Sequence, residues 1–463
     1  MTNHRTAVAV RSLIPFVPMA DNTLAFMDQA SYLWVRASGH VHAIQLTWVY
    51  RREIDLDELR RVHDGLAHGL IGRRVEPSRF PGGRHRWVAS HDLPGVDIEK
   101  PRSRDGVADW FEERAQKPVD PEFGPVWHFG VLPVTDYGTA VTLVASHTVI
   151  DGVGLCGAVI DAVEGVEHDF GYPPPGARTR RQALLEDARS TARGLPQVGR
   201  ALGATVTVAL HNKPSFWRDK QQRPPKLAKA ERKRPVVVPT ATVYIDLAQW
   251  DSRAEELGGS SNALLAGFAA RLGERFGRSH PRTNLVTLNY PVNDRTENDL
   301  RANALKGMDF AVDPAGVTED LRGVRAAIKE ALVSGASKFA EQERVFPLTP
   351  FVPTSVVARL PLGAVNAADS PVGCSAFGEI DARVTRIDGA EADYFTVRMV
   401  EQNLTADSPE VSSGELYMTS GRVCGKMFIS FRAYQPGMAN SKETLLQQVS
   451  RTLDDFGLTA FIE

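Results

Sequence analysis

Ala145-Ser146-His147-Thr148-Val149-Ile150-Asp151-Gly152-Val153-Gly154 is the stretch on which the reading of this 463-residue sequence turns. Upstream, Val126–Val134 and Thr139–Val149 are rich in strand-forming residues and flank the turn tripeptide Asp136-Tyr137-Gly138. This pattern predicts a hairpin whose second strand ends near His147. Downstream, the small and apolar residues from Val153 to Val163 predict a helix. A neutral imidazole between a strand and a helix can take a proton from an alcohol or amine as that group attacks a thioester. Asp151 then has a structural part, an ion pair that holds the loop. Gly152 lets the chain turn into the helix, whose first amides can face a developing oxyanion. The plainer reading is a hydrogen-bonded histidine ahead of an ordinary Asp-Gly turn.

Outward from this loop, His40–Tyr50 predicts a strand and Asp55–Leu70 an amphipathic helix with Leu56, Leu59, Val62, Leu66 and Leu70 on one stripe. Met19–Trp34 reads as a core helix. Tyr172-Pro-Pro-Pro-Gly-Ala breaks the first half. A helix at about Arg180–Leu210 follows, and then Lys213–Arg234, which holds nine Lys/Arg, two acids and three prolines. The second half predicts strands at Pro235–Leu247, Asn284–Val292, Ala304–Val312, Asp393–Gln402, Glu415–Thr419 and Val423–Ala433. Its helices are expected at Ser260–Phe276, which opens on a serine cap, at Thr318–Val333 and at Lys442–Phe456. The result is an α/β chain of two similar halves, 1–175 and 235–463, joined by a helical and basic crossover at 176–234.

Bulk properties narrow the function classes. Hydrophobic residues make up 43% and charged residues 24%, as in an ordinary globular protein. Lys and Arg number 54 against 56 Asp and Glu, so a surface built to grip nucleic acid is not expected. Cys156, Cys374 and Cys424 are scattered and odd in number, which argues against a disulfide framework and against a zinc site. The N-terminus lacks the apolar run and cleavage site of a secretory signal, and no run is long enough to span a bilayer. The expectation is a cytoplasmic monomer with at most peripheral membrane contact.

The decisive stretch resembles the HHxxxDG motif of the superfamily that contains chloramphenicol acetyltransferases, peptide-synthetase condensation domains, polyketide-associated acyltransferases and wax ester synthase/diacylglycerol acyltransferases. Further segments agree in order. Ser260-Ser-Asn-Ala-Leu-Leu-Ala-Gly resembles the helix of the wax ester synthase group that opens with Asn-Asp. Pro291-Val-Asn-Asp-Arg295, with Asn303 after it, is similar to that group's Pro-Val-x-x-Arg…Asn region. Cys374-Ser375-Ala376-Phe377-Gly378 resembles the Ser-Asn-x-Gly strand of condensation enzymes, and Gly421–Phe431 a late strand of the same families. Met19–Trp34 is similar to their opening segment. The sequence departs from the pattern at Ser146, where the first His of the pair is expected, and at Ala376, where an Asn is.

The resemblance implies two chloramphenicol-acetyltransferase-like sandwiches in a V with a tunnel between them. It implies acyl transfer from a CoA or carrier-protein phosphopantetheine thioester to a hydroxyl, with no permanently bound cofactor. His147 would be the base, Asp151 a structural partner of an arginine (Arg295 first), and Gly152 part of the same motif. Ser146, Ser375 and Arg295 would face substrate. Two rivals stand beside this reading: amide formation by a free-standing condensation enzyme, and a non-catalytic relative that docks a carrier protein or binds a ligand. His40 and His42 alternate on one strand face, but no third residue at ligand spacing makes them a metal site. Gly152-Val-Gly154 lacks the third glycine of a dinucleotide loop. The basic run reads as a solvated linker, or as a contact for CoA phosphates, an acidic carrier protein or anionic lipid.

Overall fold

His147 sits just past the end of a central strand because three strands of the first half pair around it. The computed structural model describes residues 21–90, 94–211, 229–296, 298–357, 371–406 and 414–463. In chain order the first half carries α1 (Phe26–Ser38), β1 (Val41–Tyr50), α2 (Leu56–Leu66), β2 (Arg73–Glu76), β3 (Arg86–Ala89), β4 (Val96–Ile98), α3 (Val107–Ala115), β5 (Trp127–Val134), β6 (Gly138–Ser146) and α4 (Gly152–Val163). The helix α5 (Arg180–His211) follows. The expected β5–β6 hairpin forms, turning through Asp136 at φ 55°. A Cβ on Gly138 would lie 2.1 Å from the Tyr50 carbonyl oxygen, so only glycine lets β1 and β6 close at this corner.

The second half supplies β7 (Thr240–Asp246), β8 (Val286–Asn293), β9 (Leu305–Val312), β10 (Val372–Glu379), β11 (Tyr394–Gln402), β12 (Glu415–Val423), β13 (Lys426–Tyr434) and β14 (Ala460–Ile462). Its larger helices are Leu247–Glu256, Ser261–Arg275, Arg322–Glu343 and Lys442–Asp455. The stripe Leu264, Leu265, Phe268 and Leu272 is buried as its spacing predicts, and Ser260 Oγ caps the helix by accepting from the Ala263 amide at 3.3 Å. Several boundaries differ from expectation: the helix expected to reach Leu70 ends at Leu66, the strand expected from Pro235 starts at Thr240, and the strand expected to reach Val149 ends at Ser146. The helix expected to end near Val333 runs on to Glu343, and the last hairpin turns at Val423–Lys426, so β12 is longer than its alternation suggests. The helix Leu247–Glu256, capped by Asp246, and the short strands β2–β4 went unread. Of the basic run, residues 213–228 lie outside the described residues.

Two large sheets, each with its own core, and a two-stranded sheet of β2 and β3 form among the described residues. The second sheet has the order β14-β7-β13-β12-β10-β8-β9 and is antiparallel except where β10 lies parallel between β12 and β8. Trp250, Phe268, Phe431 and Phe456 fill its core. The first sheet has the order β11-β1-β6-β5-β4, with Trp48, Trp110, Trp127 and Phe129 beneath it. Its edge strand β11 comes from the second half of the chain. Nine residue pairs from Val41↔Gln402 to Val49↔Tyr394 join it to β1.

The chain leading into that strand is held in the first half as well. Trp48 Nε1 donates to the Val384 carbonyl at 2.9 Å, and Tyr50 Oη to the Thr385 carbonyl at 2.7 Å. On its other side β11 touches the second sheet, where Thr419 Oγ1 donates to the Val397 carbonyl at 2.7 Å. One strand therefore stitches the halves together, and the seam beside it is where the cleft forms. No helix among the described residues is long and apolar enough to cross a membrane.

Candidate active site

The His147 loop is built by the chain around it. The His147 amide donates to the His42 carbonyl at 2.9 Å, which carries the β1–β6 ladder one residue beyond the strand. Asp151 then caps α4, its Oδ1 accepting from the Gly154 amide at 2.7 Å. Its Oδ2 reaches across the seam, accepting from Arg295 Nη2 at 2.6 Å and from the Ala304 amide at 2.9 Å. The expected pairing of Asp151 with Arg295 is thus present, with both side chains nearly buried. Arg295 also donates to the carbonyls of Asp299, Arg301 and Ala302.

A cleft of about 540 Å³, counting its open mouth, lies along the seam. His147, Gly152 and Val153 line it from the first half, Ser375, Ala376, Phe377 and Tyr417 from the second, and Val397, Arg398 and Met399 from β11. Of the residues expected to face substrate, only Ser375 is on the wall. Ser146 is fully buried, and its Oγ has no hydrogen-bond partner among the described residues. Arg295 lies behind the loop with Asp151. Ser146 points away because successive residues of a strand face opposite sides, whereas Arg295 is turned behind the loop by its bonds to Asp151 and to three carbonyls.

Gly152 is needed on grounds different from those its sequence suggested. A Cβ there would lie 2.5 Å from Cζ of Phe377, so the residue admits an aromatic wall from the opposite half. Phe377 is aimed there by a bulge in β10, where the register slips between Ala376 and Glu379 and Gly378 takes φ 66°. Gly152→Ala should cost about 1–3 kcal/mol of stability by overpacking. Calorimetry would show part of that loss restored in a Gly152→Ala/Phe377→Ala pair. An equal loss in both backgrounds would mean that the ring is not the obstacle.

The electrostatics favour a neutral histidine facing a neutral hydroxyl pair. Burial pulls the His147 pKa below the usual 6.5, the nearby His42 adding to the effect. Hydrogen bonds to its own carbonyl and to Asn303, and the charge of Asp151, act in the opposite sense. Across the cleft the Ser375 and Tyr417 hydroxyls share a 2.6 Å hydrogen bond, and burial pushes the Tyr417 pKa up to about 12, so the phenol keeps its proton. Gly373 makes this possible, since a Cβ there would lie 2.2 Å from the Tyr417 ring.

Several residues around the site carry no local sequence signal. Arg398 is nearly buried on the wall, where its Nε donates to Gln45 Oε1 at 2.7 Å and its Nη1 to Glu112 Oε1 at 2.8 Å. His42 pairs with Glu401 at 3.1 Å instead of joining His40 in a ligand set. Among the described residues no group of three or more His, Cys, Asp or Glu is arranged to hold a metal ion. Charge and spacing could have raised none of these pairings, because each partner lies far away in sequence.

Solved structures with this fold exist, at low sequence identity. The first condensation domain of the calcium-dependent antibiotic synthetase, in complex with a substrate analogue, superposes with a TM-score of 0.57 at 13% identity, over 94% of this chain and 99% of that one. The chain has the condensation-domain fold. The epimerization domain from the third module of tyrocidine synthetase B matches at TM-score 0.53 and 15% identity, over 95% and 96% of the two chains. Polyketide synthase associated protein 5 from Mycobacterium tuberculosis matches at 0.52 and 14%, over 93% and 97%. Against one larger nonribosomal peptide synthetase, at TM-score 0.52 and 20% identity, the condensation-fold chain spans only 43% of the matched protein's length. No protein-family model matches the sequence, and no curated protein matches it significantly. The likeness thus carries the fold, two α/β layers meeting at a seam, and the chemistry must be argued from the side chains.

Proposed function

We propose that this protein transfers an acyl group from a CoA or carrier-protein thioester to a hydroxyl, with His147 as the general base. The observation that carries the reading is the position of His147 on the wall of the seam cleft, with its loop pinned by Asp151 and Arg295. In this scheme the imidazole takes the proton of the acceptor O–H as the oxygen attacks the thioester carbonyl. The thiolate leaves and recovers the proton from the imidazolium. Ser375, held by Tyr417, faces the same space and is the candidate donor to the oxyanion. The apolar walls at Ile44, Leu305, Phe377 and Met399 suit the acyl chain. No bound cofactor enters the scheme, since the thioester is a substrate.

Amide formation is the second reading, supported by the condensation domains of peptide synthetases among the structural neighbours. A starter condensation domain of rhizomide synthetase, whose structure holds C8-CoA, supports CoA as a donor class here. The test is a matrix of acyl-CoA and holo-carrier-protein thioesters against alcohols and amines, with products read by mass spectrometry. Ester products support the first reading and amides the second. Absence of transfer from every pair would favour a ligand-binding relative, as Ser146 and Ala376 in place of the family residues suggest.

The pH dependence has a definite sign. The base works neutral, and burial has lowered its pKa. Turnover should therefore persist as pH falls through 6.5, the ordinary histidine value, and decline only below it. A kcat profile whose acid limb lies above 6.5 would assign the limiting group elsewhere.

A further inference from the structure

The loop of residues 294–304 between β8 and β9 belongs to the second half, yet the first half grips it from three sides. Asp151 holds Arg295 and the Ala304 amide, as described. Arg73, fully buried, donates to the Leu300 carbonyl at 2.7 Å and to the Val149 carbonyl at 3.0 Å, tying this loop to the His147 turn. Asp28 of α1 is the third grip. Its Oδ2 accepts from the Ala302 amide at 2.9 Å, and its Oδ1 from the Asn303 amide at 2.9 Å and from Asn303 Nδ2 at 3.3 Å.

Asn303 is the point where this clasp meets the chemistry. Its Nδ2 also donates to the His147 carbonyl at 3.3 Å, which holds the main chain that bears the imidazole. A primary amide has two N–H donors and one oxygen. With its N–H groups committed to Asp28 and to the His147 carbonyl, the direction of the amide oxygen is no longer free. Asp28 is fully buried, and a buried carboxylate with three donors is a costly device to keep for packing alone.

We propose that Asp28 and Asn303 are positioning residues for His147: Asp28 fixes the Asn303 side chain, and Asn303, through the His147 carbonyl, fixes the main chain that presents the imidazole to the cleft. The base is thereby oriented from outside its own motif, by a helix near the N-terminus acting through a loop of the opposite half. The inference rests on His147 being the base, and it extends the site to two residues that touch no substrate.

The test reads the imidazole itself and needs no substrate. The rate of His147 carbethoxylation by diethyl pyrocarbonate at pH 7 is followed by peptide mass spectrometry in the parent, in Asp28→Asn, in Asn303→Ala and in the double variant. Each single change should raise the rate about fivefold, equivalent to one lost hydrogen bond of about 1 kcal/mol. The double variant should match the singles, because both act through one amide.

Trp250→Phe, in the distant second core, controls for general loosening and should lower the melting temperature without moving the His147 rate. An unchanged His147 rate in folded Asn303→Ala, or a rise that Trp250→Phe reproduces, would overturn the proposal. If the rates respond as stated while His147→Ala keeps full transfer activity, the positioning stands and the assignment of the base falls.

Discussion

His147→Ala will lower turnover in acyl transfer by about 10²–10⁴-fold, the usual contribution of a positioned general base. The effect should fall on kcat, because the cleft walls that bind the acyl chain come from Ile44, Leu305, Phe377 and Met399 and are left intact. The melting temperature should move little, since the loop is held by its backbone and by Asp151. Steady-state kinetics on the best donor–acceptor pair would check both statements. Turnover within a factor of two of the parent would remove His147 from the mechanism.

The largest stability effect is expected at Asp151. Its carboxylate holds Arg295 at 2.6 Å and caps two backbone amides, with 1% of its side chain exposed. Asp151→Ala leaves a guanidinium buried without its counter-charge and should cost about 3–5 kcal/mol. Arg295→Met removes the charge from the other side, so Asp151→Ala/Arg295→Met should lose less than the two singles added together. Urea unfolding of the four proteins measures this. A loss under about 1 kcal/mol for Asp151→Ala would mean that water reaches the pair and screens it. Transfer activity should fall along with stability in these variants, because the same contacts hold the turn that presents His147.

The parts of the site that could be read in the sequence are those whose signal is local. The hairpin announced itself by two β-rich runs and a three-residue turn, and α4 by a run of small apolar residues after Gly152. The Asp151–Arg295 pair could be named only through the family pattern, since the two residues are 144 positions apart. Asp28 shows the opposite case. In the sequence it is one acid in a segment read as a core helix, with nothing local to name its partners, and the fold buries it completely. Gly152 was legible as a required glycine, but the reason lay in Phe377, which only β10 and its bulge bring within reach.

The sequence by itself determined the α/β class, most elements of the second core apart from the helix Leu247–Glu256, and the strand–loop–helix unit carrying His147, Asp151 and Gly152, because periodicity, caps and turns act over a few residues. Only the tertiary structure decided that Tyr394–Gln402 leaves its own half to pair with β1, and that the 294–304 loop is clasped by Asp28, Arg73 and Asp151. It alone placed Ser375 and Tyr417 across from His147, with Ser146 turned away. The physical reason is that alternation fixes which face of a strand is buried and says nothing about its neighbour. Partner choice is set by the packing of whole layers, and at this seam that packing makes the cleft.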